Sequence, residues 1–127
     1  MTSSIAIVRT TRMGRGGARL HRLAALADGD EIGAAQVSLA DGGDVELTDL
    51  AVTPAYRGRQ IGKALICAAA VFAAKQGARR LRLASADTNG GRLDAWYRRL
   101  GFADQGRDQL GRQRFAAPIG ALLARLG

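Results

Sequence analysis

Val52-Thr53-Pro54-Ala55-Tyr56-Arg57-Gly58-Arg59-Gln60-Ile61-Gly62-Lys63-Ala64-Leu65 runs from the end of an apolar, strand-like stretch through a glycine-containing loop into a helix. The helix is the firmest reading in the chain. Ile61, Ala64, Leu65, Ala68, Val71 and Phe72 recur at helical spacing over residues 60–76, and Gly77 stands where a left-handed C-cap belongs. Glycines in the loop let the backbone approach a ligand, and the unpaired N–H groups and dipole of the helix start attract a phosphate or pyrophosphate. The stretch therefore reads as an anion site. It is not a P-loop, because Gly58 and Gly62-Lys63 enclose three residues where four are required, and Ala64 stands in place of the magnesium-binding Ser or Thr. Gln60 likewise interrupts a dinucleotide G-x-G-x-x-G run.

Upstream, residues 45–52 alternate as a strand with Val45, Leu47 and Ala51 on one face and Leu50 and Val52 on the other, the pattern of a central strand. Residues 19–27 and 31–40 are two earlier strands joined by Asp28-Gly29-Asp30, a hairpin signal that pairs them antiparallel. Residues 5–11 form a first strand, followed by a glycine-rich turn over 12–17 without helical period. Downstream, residues 79–86 are a strand, so a right-handed strand-helix-strand crossover sets 45–52 parallel to 80–85. A second helix follows over 91–100 and ends at Gly101. Residues 102–108 and 112–117 make a last hairpin around Leu110-Gly111, and 119–126 close the chain as a helical turn. No repeat or linker divides residues 1–127, which read as a single domain.

With 127 residues, 47% of them hydrophobic and 24% charged, the chain can bury a core, which argues against disorder. Cys67 alone makes no intramolecular disulfide, and with His21 as the one histidine no metal site is expected. A reducing cytoplasm is the expected location. The longest apolar run, residues 64–74 between Lys63 and Lys75, is shorter than the ~18 residues of a membrane span, and no signal peptide is visible at the N-terminus. The net charge of +8 invites nucleic acid or another acidic surface. Yet all the basic residues except Lys63 and Lys75 are arginines spread from Arg9 to Arg125, without interleaved aromatics for base stacking, so nucleic-acid binding is the disfavoured reading.

Two motifs together resemble the GNAT superfamily of acyl-CoA-dependent N-acetyltransferases. Arg57-Gly58-Arg59-Gln60-Ile61-Gly62 is similar to the family's motif A, with Gln60 in place of the first of its paired glycines. Asn89, followed by Tyr97 and then Gly101-Phe102, is similar to the second hallmark, an Asn before a helix ending in Y-x-x-x-G-F. The resemblance implies an α/β (α+β) GNAT fold: a mixed, mostly antiparallel central sheet, one parallel strand-helix-strand crossover and helices on both faces. It implies transfer of an acetyl group from acetyl-CoA to a primary amine by direct attack in a ternary complex, without a metal. Backbone N–H groups of Arg57, Gly58, Arg59, Gln60, Ile61, Gly62, Lys63 and Ala64 would hold the CoA pyrophosphate, and the strand edge at Leu50, Ala51 and Val52 would pair with pantetheine. Asn89 would contact the pantetheine arm; its plain alternative is a turn residue before Gly90-Gly91. Tyr97 would protonate the departing thiolate, the alternative being an aromatic packed on the sheet.

An attacking amine must lose its proton, so a base or a water chain leading to one is expected. Glu46, six residues before Val52, is the choice, against a strand-start carboxylate paired with an arginine. Asp49, on the opposite face if the strand is regular, is the reserve. Cys67 reads as a buried inert thiol and His21 as structural. Family members place two helices between the first and second strands, and here only residues 12–18 fill that interval. The acceptor site, for a small molecule or a protein bearing an amine, is therefore expected to be open, or completed by a second subunit or by the substrate itself. A homodimer through residues 119–126 is the candidate assembly. The alternative function is a non-catalytic acyl-CoA-binding or regulatory module.

Overall fold

The elements follow in the order that the patterns above predict, with the first, third and fourth strands a residue or two longer than read, the fifth and sixth shorter (80–84 against 79–86, 103–107 against 102–108) and the last shifted by one residue. The structure, a computed structural model, describes residues 5–14, 16, 19–85 and 90–126. In chain order these form β1 (Ile5–Met13), β2 (Arg19–Ala27), β3 (Asp30–Ala40), β4 (Asp44–Val52), α1 (Ile61–Lys75), β5 (Arg80–Ala84), α2 (Arg92–Leu100), β6 (Ala103–Arg107), β7 (Gln113–Pro118) and α3 (Ile119–Leu126). The strands make one sheet in the order β1-β2-β3-β4-β5-β7-β6, in which only the β4/β5 neighbours are parallel. Asp28 at φ 52° and Gly29 at φ 85° give the β2–β3 hairpin the left-handed pair that a type I′ turn requires. β1 lies in continuous antiparallel register with β2, from Ile5 opposite Ala27 to Met13 opposite Arg19.

Two features correct the sequence reading. First, β4 is not a regular strand. Thr48 lies opposite Gln36 but Ala51 lies opposite Ala34, so β4 carries one residue more than β3 at Asp49 and Leu50. This is a β-bulge, and it reverses the alternation downstream. Leu50 and Val52 therefore join the face of Val45 and Leu47 and pack against the core. The apolar residues whose pattern suggests two buried faces serve one.

Second, the helices do not lie on both faces. The crossovers from β4 to β5 and from β5 to β6 both advance the same way across the sheet, and right-handed crossovers of one direction fall on one side. Packing agrees. Leu65, Ile66, Ala69 and Ala70 of α1, Tyr97 and Leu100 of α2, and Ile119 and Leu122 of α3 share one buried cluster with Val37, Val45, Leu47, Leu81 and Phe115. Ile119 and Leu122 of α3 face this core, while the remaining residues of 120–126 are exposed or half-buried. The other face is covered by polar side chains: Arg80 binds the buried Asp44 at 2.9 Å, and Arg82 reaches Asp44 at 3.7 Å and Glu46 at 3.3 Å. Among the described residues no helix is long and apolar enough to cross a membrane.

Candidate active site

β4 and β5 pair only from Asp44 opposite Arg80 to Leu47 opposite Leu83. Beyond that point β4 runs on without β5, past its bulge, and a single 3₁₀ turn (Pro54–Tyr56) leads into α1. The opening this leaves is a cleft of about 960 Å³, walled by Leu50, Ala51 and Val52, by the loop, by the first turn of α1, and by Arg92, Leu93, Trp96 and Tyr97 of α2. Among the described residues its charged side chains are Arg57, Lys63 and Arg92, with no carboxylate. The backbone adds donors of the same sign. Arg57 N–H is taken by the Pro54 carbonyl at 3.2 Å and Ala64 N–H by the Gln60 carbonyl at 3.0 Å, while the amides of residues 58–63 between them make no backbone hydrogen bond. The cradle is thus shorter than residues 57–64 at both ends. Arg57 also donates from Nε to the Val52 carbonyl at 3.3 Å, occupying one acceptor of the β4 edge.

Local conformation explains two residues of the loop. Gln60 adopts φ 62°, the left-handed conformation in which glycine is unstrained, and it caps α1 without a side-chain hydrogen bond. Gly62 serves a different need: a Cβ there would sit 3.1 Å from the Trp96 indole. Helix α1 and helix α2 close on each other at this glycine.

Tyr97 is 5% exposed and packed among the rings of Trp96, Phe102 and Phe115 at centroid distances of 5.2, 5.8 and 5.6 Å. Burial, and then the charge of Asp94, push its phenol up to about 12, so it keeps its proton throughout the physiological range. Tyr97, Leu50 and Leu93 also line a second recess of about 410 Å³, where β4 and β5 splay apart. That recess holds Glu46, Asp49 and Arg112. Arg82 pairs with Glu46, and Asp108 pairs with Arg112 at 2.8 Å. Asp49, at φ 54° in the bulge, is exposed, and among the described residues its carboxylate makes no hydrogen bond or ion pair. A regular strand would have set Glu46 and Asp49 on opposite faces; the bulge brings both to one recess.

Residues 19–104 match the family model of the acetyltransferase (GNAT) domain. The chain belongs to the GNAT acetyltransferase family. This GNAT chain is 41% identical over 83 residues to the streptothricin acetyltransferase of Streptomyces lavendulae, across 65% of its own length and 43% of that relative's. It therefore spans less than half of that protein. Among solved structures, nourseothricin acetyltransferase superposes with a TM-score of 0.68 at 24% identity, covering 92% of this chain and 88% of that one, a likeness of fold. The PaiA N-acetyltransferase of Thermoplasma acidophilum, in complex with coenzyme A, superposes with a TM-score of 0.67 at 25% identity, covering 78% and 60%.

Within this GNAT domain, nine of the residues expected to bind the cofactor line the cleft: Leu50, Ala51, Val52, Arg57, Gly58, Gln60, Ile61, Gly62 and Lys63. Two do not. Arg59 lays its guanidinium over the Tyr56 ring at 5.2 Å, and Ala64 faces a separate groove between α1 and the β1–β2 hairpin. Asn89 lies outside the described residues. Tyr56, Arg92, Leu93 and Trp96 join the cleft without having been expected there. Tyr56 lies within the loop stretch that opens the sequence reading, whereas Arg92, Leu93 and Trp96 carry no signal that sets them apart from an ordinary helix face. Cys67 is half-buried in the groove beside α1. His21, 8% exposed, bonds Thr11 Oγ1 at 3.0 Å and packs on the Phe72 ring, a structural setting.

Proposed function

We propose that the chain is an acyl-CoA-dependent N-acetyltransferase that takes acetyl-CoA in the cationic cleft and a primary amine in the recess between β4 and β5. The observation that carries this reading is that two cavities, one lined by cations and one holding the carboxylates, meet at a single buried phenol. Arg57, Lys63, Arg92 and the amides of residues 58–63 suit a polyanionic donor. The unpaired edge of β4 offers main-chain partners to an extended amide chain, and its N–H groups polarise the thioester carbonyl. The amine lone pair forms the N–C bond as the C–S bond breaks, and Tyr97 gives its proton to the leaving sulfur and regains one from solvent. With the phenol near 12 and a thiol near 8.5, this transfer must accompany C–S cleavage rather than precede it. The amine proton leaves through water to Glu46, which Arg82 holds in place.

Streptothricin enters as a first acceptor to try because a relative is named for it. The lone Cys67 suits a reducing cytoplasm. The test is thermal shift with acetyl-CoA together with thiol release in the presence of streptothricin and simple alkylamines. Wild type is expected to give a saturable shift and thiol release. Tyr97→Phe keeps the shift and loses about 100-fold in release rate. No shift with acetyl-CoA ends this reading, and equal rates in the variant end the role of Tyr97 as acid.

A further inference from the structure

The carboxylates around the recess and the helix-free face are matched by arginines: Glu31 by Arg22, Asp44 by Arg80, Glu46 by Arg82. Among the described residues Asp49 is not, in a chain whose net charge is +8 and whose arginines are plentiful. Its backbone conformation is one that aspartate tolerates, as Asp28 does in the β2–β3 turn, and that glycine adopts freely. At φ 54° in the first position of the bulge, glycine is the unstrained residue, so the one thing aspartate adds is a carboxylate. That carboxylate stands at a junction. Asp49 lines the recess beside Tyr97 and also a shallow recess next to Gln36 and Thr53 on the sheet. The recess beside Gln36 and Thr53 opens on the helix-free face of the sheet.

Resting on the acetyltransferase reading, we propose that Asp49 selects oligocationic acceptors: one amino group meets the thioester beside Tyr97 while a second, unreacting ammonium of the same molecule pairs with the Asp49 carboxylate. The acceptor class is then a linear diamine or polyamine, or a larger molecule presenting such an arm. Asp49 acts by positioning and takes no proton.

The experiment compares 1,5-diaminopentane with n-hexylamine, which replaces the second ammonium by a methyl group, using wild type, Asp49→Asn and Asp49→Gly. Both substitutions tolerate positive φ, so loss of fold does not confound the result. Wild type is expected to prefer the diamine about fivefold in kcat/KM. In both variants that ratio falls toward one through the KM of the diamine, and added salt lowers it in wild type only. Emission of Trp96, the chain's one tryptophan, is followed during acetyl-CoA titration. The assignment is overturned by equal use of the two amines in wild type, by variants that slow both amines alike, or by no transfer to either from a protein whose emission responds to acetyl-CoA. An emission that ignores acetyl-CoA sinks the acetyltransferase reading, and this one with it.

Discussion

Gln60 marks the difference between a motif and its physical cause. The family pattern has glycine where this chain has glutamine, and the structure shows the backbone there at φ 62°. A left-handed non-glycine residue costs about 1–2 kcal/mol, and glycine returns part of that through the freer unfolded chain. Gln60→Gly is therefore expected to stabilise the protein by about 0.5 kcal/mol and raise Tm by about 2 °C, read by calorimetry. A lowered Tm would show that the glutamine side chain itself stabilises the loop. Residues are the most legible scale wherever chemistry depends on type and offset: Tyr97 is found from its distance to Gly101-Phe102, and Gly58, Gly62 and Lys63 from the loop. Roles set by contacts are not. Nothing in the sequence says that Glu46 meets Arg82, that the Ala64 amide is already taken by Gln60, or that Asp49 stays unpaired among the described residues.

The elements themselves are readable almost end to end, since each carries its own period and stop signals. What escapes is irregularity inside one of them. A bulge changes no composition and leaves the alternation readable on either side, so Leu50 and Val52 read as a second apolar face when they share that of Val45 and Leu47. Helix–helix contact is equally silent. Gly62 reads as a loop-to-helix glycine for phosphate approach, yet a methyl group on its Cα would stand 3.1 Å from the Trp96 indole. Gly62→Ala gains about 1 kcal/mol of helix propensity and loses about 1–3 kcal/mol to overpacking, a net loss of about 1 kcal/mol. The Trp96 emission maximum should move and the Kd for CoA should rise in the variant, measured by fluorescence titration. Unchanged emission would mean that the indole does not rest on this turn.

For the whole molecule, stability should fall on both sides of neutrality, each side through one buried ring. Burial first, then Arg9 and Arg19, hold the His21 imidazole below its ordinary 6.5, so the unfolded chain takes up this proton more readily and stability declines as pH drops through that region. Tyr97, near 12 when folded and about 10 when unfolded, does the reverse: the unfolded chain ionises first, and about 2–3 kcal/mol is lost as pH rises from 10 to 12. Urea midpoints at pH 5, 8 and 11 check both limbs, and Tyr97→Phe should flatten the alkaline one. An alkaline limb that stays steep in the variant assigns it to other groups. At this scale the sheet's parallel pair follows from sequence, but the side on which helices gather follows from the direction of successive crossovers, which requires knowing where β6 inserts.

The bulge in β4 also sets what kind of mutation the site can survive. Side-chain orientation along a strand is a count in twos, and β4 takes one odd step between Thr48 and Ala51. Exchange of a residue there alters a wall; removal of Asp49 would leave a regular strand with Leu50 opposite Ala35 and Val52 still opposite Gly33, both toward the helices. The extra residue is thus an addition that the walls of the cleft do not need: it supplies a carboxylate at the junction, and homologous chains should be able to lose it and keep the cleft.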